Sequence, residues 1–200
     1  MPQLRTMRHD IHIDGHAYRL RPVEAADAPL IVGLRTNASL NRYLHASSSR
    51  VEDQVQWIAH YHQRSGDYYF VVESRLSHDP EGVVSLYDID NDSRNGEWGR
   101  WILKPGSLAA VESAWLIYRV AFEIIGLQEA FCRTVAANAA VVSFHDSCGI
   151  ADRRTLAGHF ELGGHRHDAI EHRVDRVAWP ALDARLSRLA ALTARRLARA

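Results

Sequence analysis

The stretch from about Leu108 to Ile125 constrains this chain more than any other. Apolar residues stand at 108, 111, 115, 118, 122 and 125, and steps of three and four place them along one face of a helix. Leu116, Ile117, Val120 and Ile124 occupy the other side, so the helix is expected to be covered on more than one face. Gly126 should end it, because glycine enters the left-handed conformation of a helix C-terminus without steric cost. A helix with this much apolar surface needs a sheet to lie on. The flanking segments GEWGRWIL and EAFCRTVAAN read as strands of that sheet.

The remaining elements follow from periodicity and turn residues. Residues 9–23 alternate around Asp14-Gly15, which predicts a hairpin. Asp27 to Arg35 and Val51 to Arg64 read as short amphipathic helices, with the polar, aromatic stretch NRYLHASSS as a loop between them. DYYFVVES and GVVSLYDID are strands, separated from their neighbours by Gly82 and the NDSRNG cluster. Ala139 to Cys148 reads as a helix ended by Gly149, and HFELGG with AIEHRVDRVAW as a closing antiparallel pair. The tail ALDARLSRLAALTARRLARA is a leucine-studded, Arg-rich amphipathic helix, suited to packing on the domain or on a second copy in a homodimer, with a membrane surface as the lesser reading. Strands and helices mixed in this order imply a layered α/β or α+β domain. We expect it over residues 1–182, followed by a C-terminal helix over 183–200.

Composition removes several classes of function. The 24 basic residues match the 24 acidic ones, whereas a duplex-binding surface needs a basic excess, so no nucleic acid is expected as a partner. The N-terminus MPQLRTMRHD lacks the apolar core of a signal peptide. No apolar run reaches the roughly 18–20 residues needed for a membrane span. Cys132 and Cys148 stand in no metal-ligand spacing and read as reduced thiols of a cytoplasmic protein. His165 and His167 read as part of a solvated turn, so no metal is expected.

The segment 97–150 carries a resemblance. Glu97, Gly99, Trp101 and Ile102 lie on one strand, Glu112 with the Ala121-Phe122 pair on the long helix, and Asn138 eleven residues before Gly149. In that order and spacing the segment resembles the acetyl-CoA-binding half of the GNAT superfamily of N-acetyltransferases, in particular its ribosomal-protein-acetyltransferase-like branch. The flanking elements extend the resemblance over roughly residues 16–182. It implies a mixed, mostly antiparallel sheet of about seven strands flanked by helices. It also implies transfer of acetyl from acetyl-CoA to a primary amine.

The resemblance assigns residues as well. The cofactor's pyrophosphate suits a helix N-terminus, here the turn Lys104, Gly106, Ser107, Leu108, Ala109 and Ala110. Leu108 stands where the family usually has a second glycine. Ile102 and Leu103 would offer a free strand edge to pantetheine. Asn138 would bond the cofactor or cap the following helix, and Ser143 could reach the pantetheine arm. Acyl transfer needs a neutral amine, since an ammonium has no lone pair. It also needs stabilisation of a departing thiolate, whose thiol pKa is about 8.5 in cysteine. Glu97 sits where relatives place a carboxylate that takes the amine's proton. His145 stands where many have a tyrosine that donates to the sulfur. A cationic imidazole, with a reference pKa of about 6.5, would give up a proton, and a neutral one only a hydrogen bond.

The acceptor is expected at Arg42, Tyr43, His45, Tyr87 and Asp88, polar side chains that suit a polyhydroxylated or phosphate-bearing small-molecule amine. Parts of the chain look like acetyltransferases that modify nucleotide-linked amino sugars. A protein N-terminal acetyltransferase and a non-catalytic acyl-CoA-binding module are the alternatives, and an open groove rather than a closed polar pocket would mark the former. Trp57 and Tyr61 could line such a site, although their helical spacing suits a core better.

Overall fold

The computed structural model describes residues 9–199; the expectations for residues 1–8 and for Ala200 lie outside them. Eight strands form one sheet: β1 (Ile13–Asp14), β2 (Tyr18–Pro22), β3 (Tyr68–Ser74), β4 (Pro80–Asp90), β5 (Asn95–Leu103), β6 (Glu129–Val135), β7 (Asp152–Leu162) and β8 (His165–Asp175). Their order in space is β1-β2-β3-β4-β5-β6-β8-β7. Every neighbouring pair is antiparallel except β5 and β6. The expected hairpin closes at Gly15, whose N–H donates to the Tyr18 carbonyl at 2.9 Å. A side chain there would collide with the long helix itself, because a Cβ on Gly15 would sit 2.1 Å from Glu112 Oε1. That carboxylate oxygen accepts the backbone N–H groups of Ala17 and Tyr18 at 2.9 and 3.1 Å.

Helices cover both faces. On one side α1 (Ala28–Thr36) and α2 (Val51–Tyr61) pack Ile31, Leu34, Ile58 and Tyr61 against Val71, Val83 and Ile102 of the sheet. On the other lies α3 (Ala110–Arg119), continued by a wider π-helical turn over Val120–Ile125. Burial on both faces makes the centre of β3 continuously apolar, as expected of a strand without a solvent side. Tyr61 is core, its hydroxyl accepting the Tyr69 N–H at 2.7 Å, and Trp57 stacks on it with centroids 5.6 Å apart.

Three expectations need correction. The long helix begins at Ala110, so Leu108 lies outside it and is 52% exposed. The apolar stripe otherwise holds: Trp115, Tyr118 and Phe122 are buried on one side, and Leu116, Ile117 and Val120 on the other, while Ile124 faces solvent. Gly126 ends the π-helical turn at φ 80°. Second, the closing pair is longer than its apolar pattern, starting at Asp152 and turning through Gly163 and Gly164, both at positive φ. Third, His165 and His167 belong to strand β8 rather than to a turn.

Two more helices complete the fold. The first is α4 (Ala139–Ser147), and the last is α5 (Trp179–Leu197), which lies on α3. There it buries Trp179, Leu182, Leu186 and Ala190 in the main core. Trp115 Nε1 donates to Asp183 Oδ1 at 2.6 Å across the same contact. No helix among the described residues is long and apolar enough to cross a membrane. We predict that Leu186→Ala costs about 2–5 kcal/mol of stability in urea unfolding. Leu192→Ala, on the 48% exposed side of the same helix, should stay within about 0.5 kcal/mol.

Candidate active site

The cleft arises where two strands part. β5 and β6 pair in parallel at only three positions, Asn95↔Glu129, Gly96↔Ala130 and Glu97↔Phe131. Beyond Glu97, β6 stays with β8 and β5 stays with β4, so facing backbone edges are left without a ladder. Between them lies a cavity of about 660 Å³. Its walls come from Glu97 to Leu103, from Cys132 to Val135, from α4 at Asn138, Val141 and His145, and from Phe160 and Leu162 of β7. The last turn of α1 adds Arg35, and the connection between α1 and α2 adds Arg42, Tyr43 and His45. Tyr43 Oη donates to the Ala137 carbonyl at 2.9 Å, which fastens that connection across the cleft.

Glu97 stands where the pairing stops. It is 7% exposed. Tyr87, directly opposite on β4, donates its hydroxyl to Oε1 at 3.1 Å, and Arg133 Nη1 donates to Oε2 at 2.7 Å. Two bulges of opposite sense flank this pair, one on β5 at Arg100 and one on β4 at Asp88. Both residues adopt positive φ, 47° and 50°. Bulges of this kind re-aim side chains beside functional sites. Gly99 makes room for the Tyr87 ring, since a Cβ there would lie 2.6 Å from its hydroxyl. Burial pushes the Glu97 carboxyl above its usual range, while Arg133 and the Tyr87 hydrogen bond pull against that rise.

Arg133 belongs to a longer alternation of charge. Its Nε donates to Glu171 at 2.9 Å, and Arg173 grips the other Glu171 oxygen at 2.7 Å while pairing with Glu129. Burial would raise the Glu171 carboxyl, but Arg173 and Arg133 hold it low. His145 closes the cleft from α4, buried edge-on to Trp98 and tilted against Trp101 and His172. Its Nε2 lies 3.6 Å from Cys132 Sγ. Burial first, and the neighbouring His172 second, push the imidazole down to about 3, so it is neutral and offers a hydrogen bond rather than a proton.

Of the other residues singled out in the sequence, Ile102, Leu103, Asn138, Arg42, Tyr43, His45 and Tyr87 line the cleft. Lys104, Gly106, Ser107, Leu108, Ala109 and Ala110 lie outside that lining, just past the end of β5. Gly106 there has φ 81° and open space around it. Ser107 Oγ accepts the Ala109 N–H at 3.3 Å. The N-cap of α3 is Ala109, which supplies no capping side chain, so the amides of its first turn keep no intrahelical partner. Asn138 occupies the N-cap of α4, but its side chain makes no cap bond. Ser143 and Asp88 are exposed and off the cleft. Sequence reading missed Arg133, Arg100, Arg35, Phe160 and Leu162, because nothing local marks them; strand order brings in four of them, and the packing of α1 on the sheet brings in Arg35. Among the described residues, no group of three or more His, Cys, Asp or Glu could hold a metal.

Arg133→Met removes the cation nearest Glu97, so its carboxyl should titrate at higher pH, followed by carbon-13 NMR of labelled glutamate. Arg133→Lys should move it less. An unmoved titration in the methionine variant would show that Arg133 does not set the charge of Glu97.

Comparison with known proteins gives this geometry a family. Residues 18–151 match the profile described as Acetyltransferase (GNAT) domain. No protein of curated function matches the chain. Among solved structures, apo FdhC, a nucleotide-linked sugar GNAT, is 28% identical, with 90% of this chain and 98% of that one covered at a TM-score of 0.75. A GCN5-related N-acetyltransferase from Brucella melitensis is 18% identical over 94% and 90% of the two chains, TM-score 0.79. A variant of spermidine N-acetyltransferase SpeG from Vibrio cholerae is 19% identical over 82% and 96%, TM-score 0.71. With the profile matched over more than half of its length, the chain belongs to the GNAT acetyltransferase family.

Proposed function

We propose that this chain is an acetyl-CoA-dependent N-acetyltransferase whose acceptor is a primary amine on a nucleotide-linked amino sugar. The charge of the cleft carries the reading of the acceptor. Arg35, Arg42, Arg100 and Arg133 line it against one carboxylate, Glu97. Arg35 donates only to the His45 carbonyl, and Arg42 lies over the Tyr43 ring. Neither has a carboxylate partner among the described residues, which leaves both free for phosphate oxygens. A polycation such as spermidine would want the opposite charge. The bond from Tyr43 to Ala137 ties the α1–α2 connection across the cleft, a crossing that a protein N-terminus lying along an open groove would have to pass, and that favours a small acceptor. The likeness to a nucleotide-linked sugar GNAT supports the same reading.

The residues present fit acetyl-CoA on two counts. The edge of β5 past Glu97 has no β6 partner, and the uncapped first turn of α3 follows a glycine with open space around it. That edge, at Ile102 and Leu103, would hold the pantetheine amides. The turn from Lys104 to Ala110 would hold the pyrophosphate through backbone N–H groups and the helix dipole. Acetyl-CoA, when bound, supplies an activated acetyl group. Glu97 takes the proton that the amine must lose before its nitrogen can bond to the acyl carbon. The nitrogen would then bond to the acyl carbon as the carbon–sulfur bond breaks with its electron pair leaving on sulfur; that sulfur would take the second proton shed by the nitrogen, while His145 would offer it a hydrogen bond. We place the reaction in the cytoplasm, in keeping with two free cysteines.

Incubation with acetyl-CoA and, separately, a nucleotide-linked amino sugar, spermidine and a peptide amine should give a mass gain of one acetyl group with the first. Acetylation of spermidine alone would overturn the acceptor class, and release of no free thiol with any amine would overturn the activity. Arg42→Ala should raise KM for the nucleotide sugar roughly tenfold, the worth of one charged hydrogen bond. Glu97→Gln should lower kcat and move the pH optimum upward, because the amine must then shed its proton to solvent; an identical profile would take Glu97 out of the mechanism. His145→Phe should slow transfer while leaving affinity for CoA largely intact, as read by calorimetry, and an unchanged rate would remove His145.

A further inference from the structure

We propose that Asp67, which lies outside the cleft, is a positioning residue for Glu97 and acts through Arg100 and Tyr87. The inference rests on the reading of Glu97 as the group that takes the amine's proton. It begins with a conformation that arginine rarely adopts. Arg100 stands within a strand at φ 47°, a region disfavoured for any residue with a Cβ, and such outliers persist only where their surroundings over-determine them.

Three contacts do so here, one of them the Trp57 ring, whose centre lies 5.8 Å from the guanidinium carbon of Arg100. Arg100 Nη1 donates to both oxygens of Asp67, at 2.7 and 2.9 Å. The guanidinium carbon of Arg100 also lies 4.3 Å from the centre of the Tyr87 ring, within the range of a cation–π contact. Tyr87 in turn donates to Glu97 Oε1. A carboxylate on the connection between α2 and β3 is therefore tied, through one guanidinium and one phenol, to the carboxylate where β5 and β6 part. Asp67 is not in the cleft wall, so it touches no substrate there. Its side chain is only 10% exposed, which keeps water from weakening the pair.

The chain of contacts predicts a direction. The groups that act on Glu97 are Tyr87 and Asp88 from β4 and Arg133 from β6. Cys132 adds a thiol on β6 whose own ionisation feels Glu97, Glu171 on β8 acts through Arg133, and Arg100 acts through Tyr87. Of these, the Tyr87 hydroxyl holds the Glu97 carboxyl down by hydrogen bonding to its charged form. Releasing Arg100 from Asp67 frees the guanidinium to leave the ring, the phenol loses its clamp, and the carboxyl must titrate at higher pH.

The test is a double-variant cycle on the intact chain, with Asp67→Ala, Tyr87→Phe and their combination, and thermal unfolding to confirm that each is folded. Asp67→Asn, which keeps one acceptor oxygen, carries the test where the alanine variant fails to fold. The Glu97 carboxyl is titrated by carbon-13 NMR, and the acid limb of kcat/KM is recorded with the best amine acceptor. In Asp67→Ala both should move to higher pH together. There kcat should fall roughly tenfold, with KM for acetyl-CoA changing by less than about twofold. Tyr87→Phe should reproduce the movement, and the combined variant should add nothing to it. A Glu97 titration that stays put or moves down in the Asp67 variants overturns the proposal, and so do effects that multiply in the double variant. If the wild-type chain acetylates no amine, the reading of function fails, while the NMR titration still decides the role of Asp67.

Discussion

A parallel pairing that lasts for three residues and then stops governs this molecule. Backbone N–H and C=O groups that lose a ladder must find other partners or water, so the diverging edges of β5 and β6 form a polar slot inside an otherwise apolar sheet. The divergence is built in. β6 is bound along its whole length to β8, and β5 to β4 through two bulges. Neither strand can swing to close the gap without breaking a longer ladder. The slot is therefore a standing feature of the fold, with walls as rigid as the sheet itself.

Charge is arranged around the slot in alternation. Glu129, Arg173, Glu171, Arg133 and Glu97 follow one another from the sheet to the cleft, each bonded to the next. Buried charges are tolerable only when paired and hydrogen-bonded, and every member of this row is. The carboxylate at its end is the one that also reaches the cavity. Its second oxygen belongs to Tyr87, which is held in turn from the opposite side. Glu97 is thus fixed in place by two independent supports, while burial first, and the neighbouring charge of Asp88 after it, disfavour its ionised form.

Much of the scaffold could be read from residues in order. The stripe at Val111, Trp115, Tyr118 and Phe122 predicted a helix with a buried face, and Gly126 and Gly149 marked two helix ends where both take positive φ. Leu108 misled, because an apolar residue in phase with a helix continues the pattern whether or not the backbone is helical there. The first residues of β7, DRRT, were invisible as a strand. They lie on the outermost strand and are exposed, so no apolar alternation was needed to hold them. The π-helical turn at Val120–Ile125 escaped for a related reason, since one extra residue per turn shifts apolar positions too little to register in a short stretch.

What this sequence determined by itself was local: which segments coil, which extend, where glycine lets the chain turn, and, through Glu97, Asn138 and His145, which positions resemble working residues of a family. Tertiary structure alone decided which side chains meet. Arg133 and Glu97 are bonded although far apart in sequence, and Asp67 reaches Arg100 across another long separation. Periodicity reports on the faces of single elements, whereas a salt bridge between strands depends on sheet order and register. Those emerge only when every element has found its neighbours.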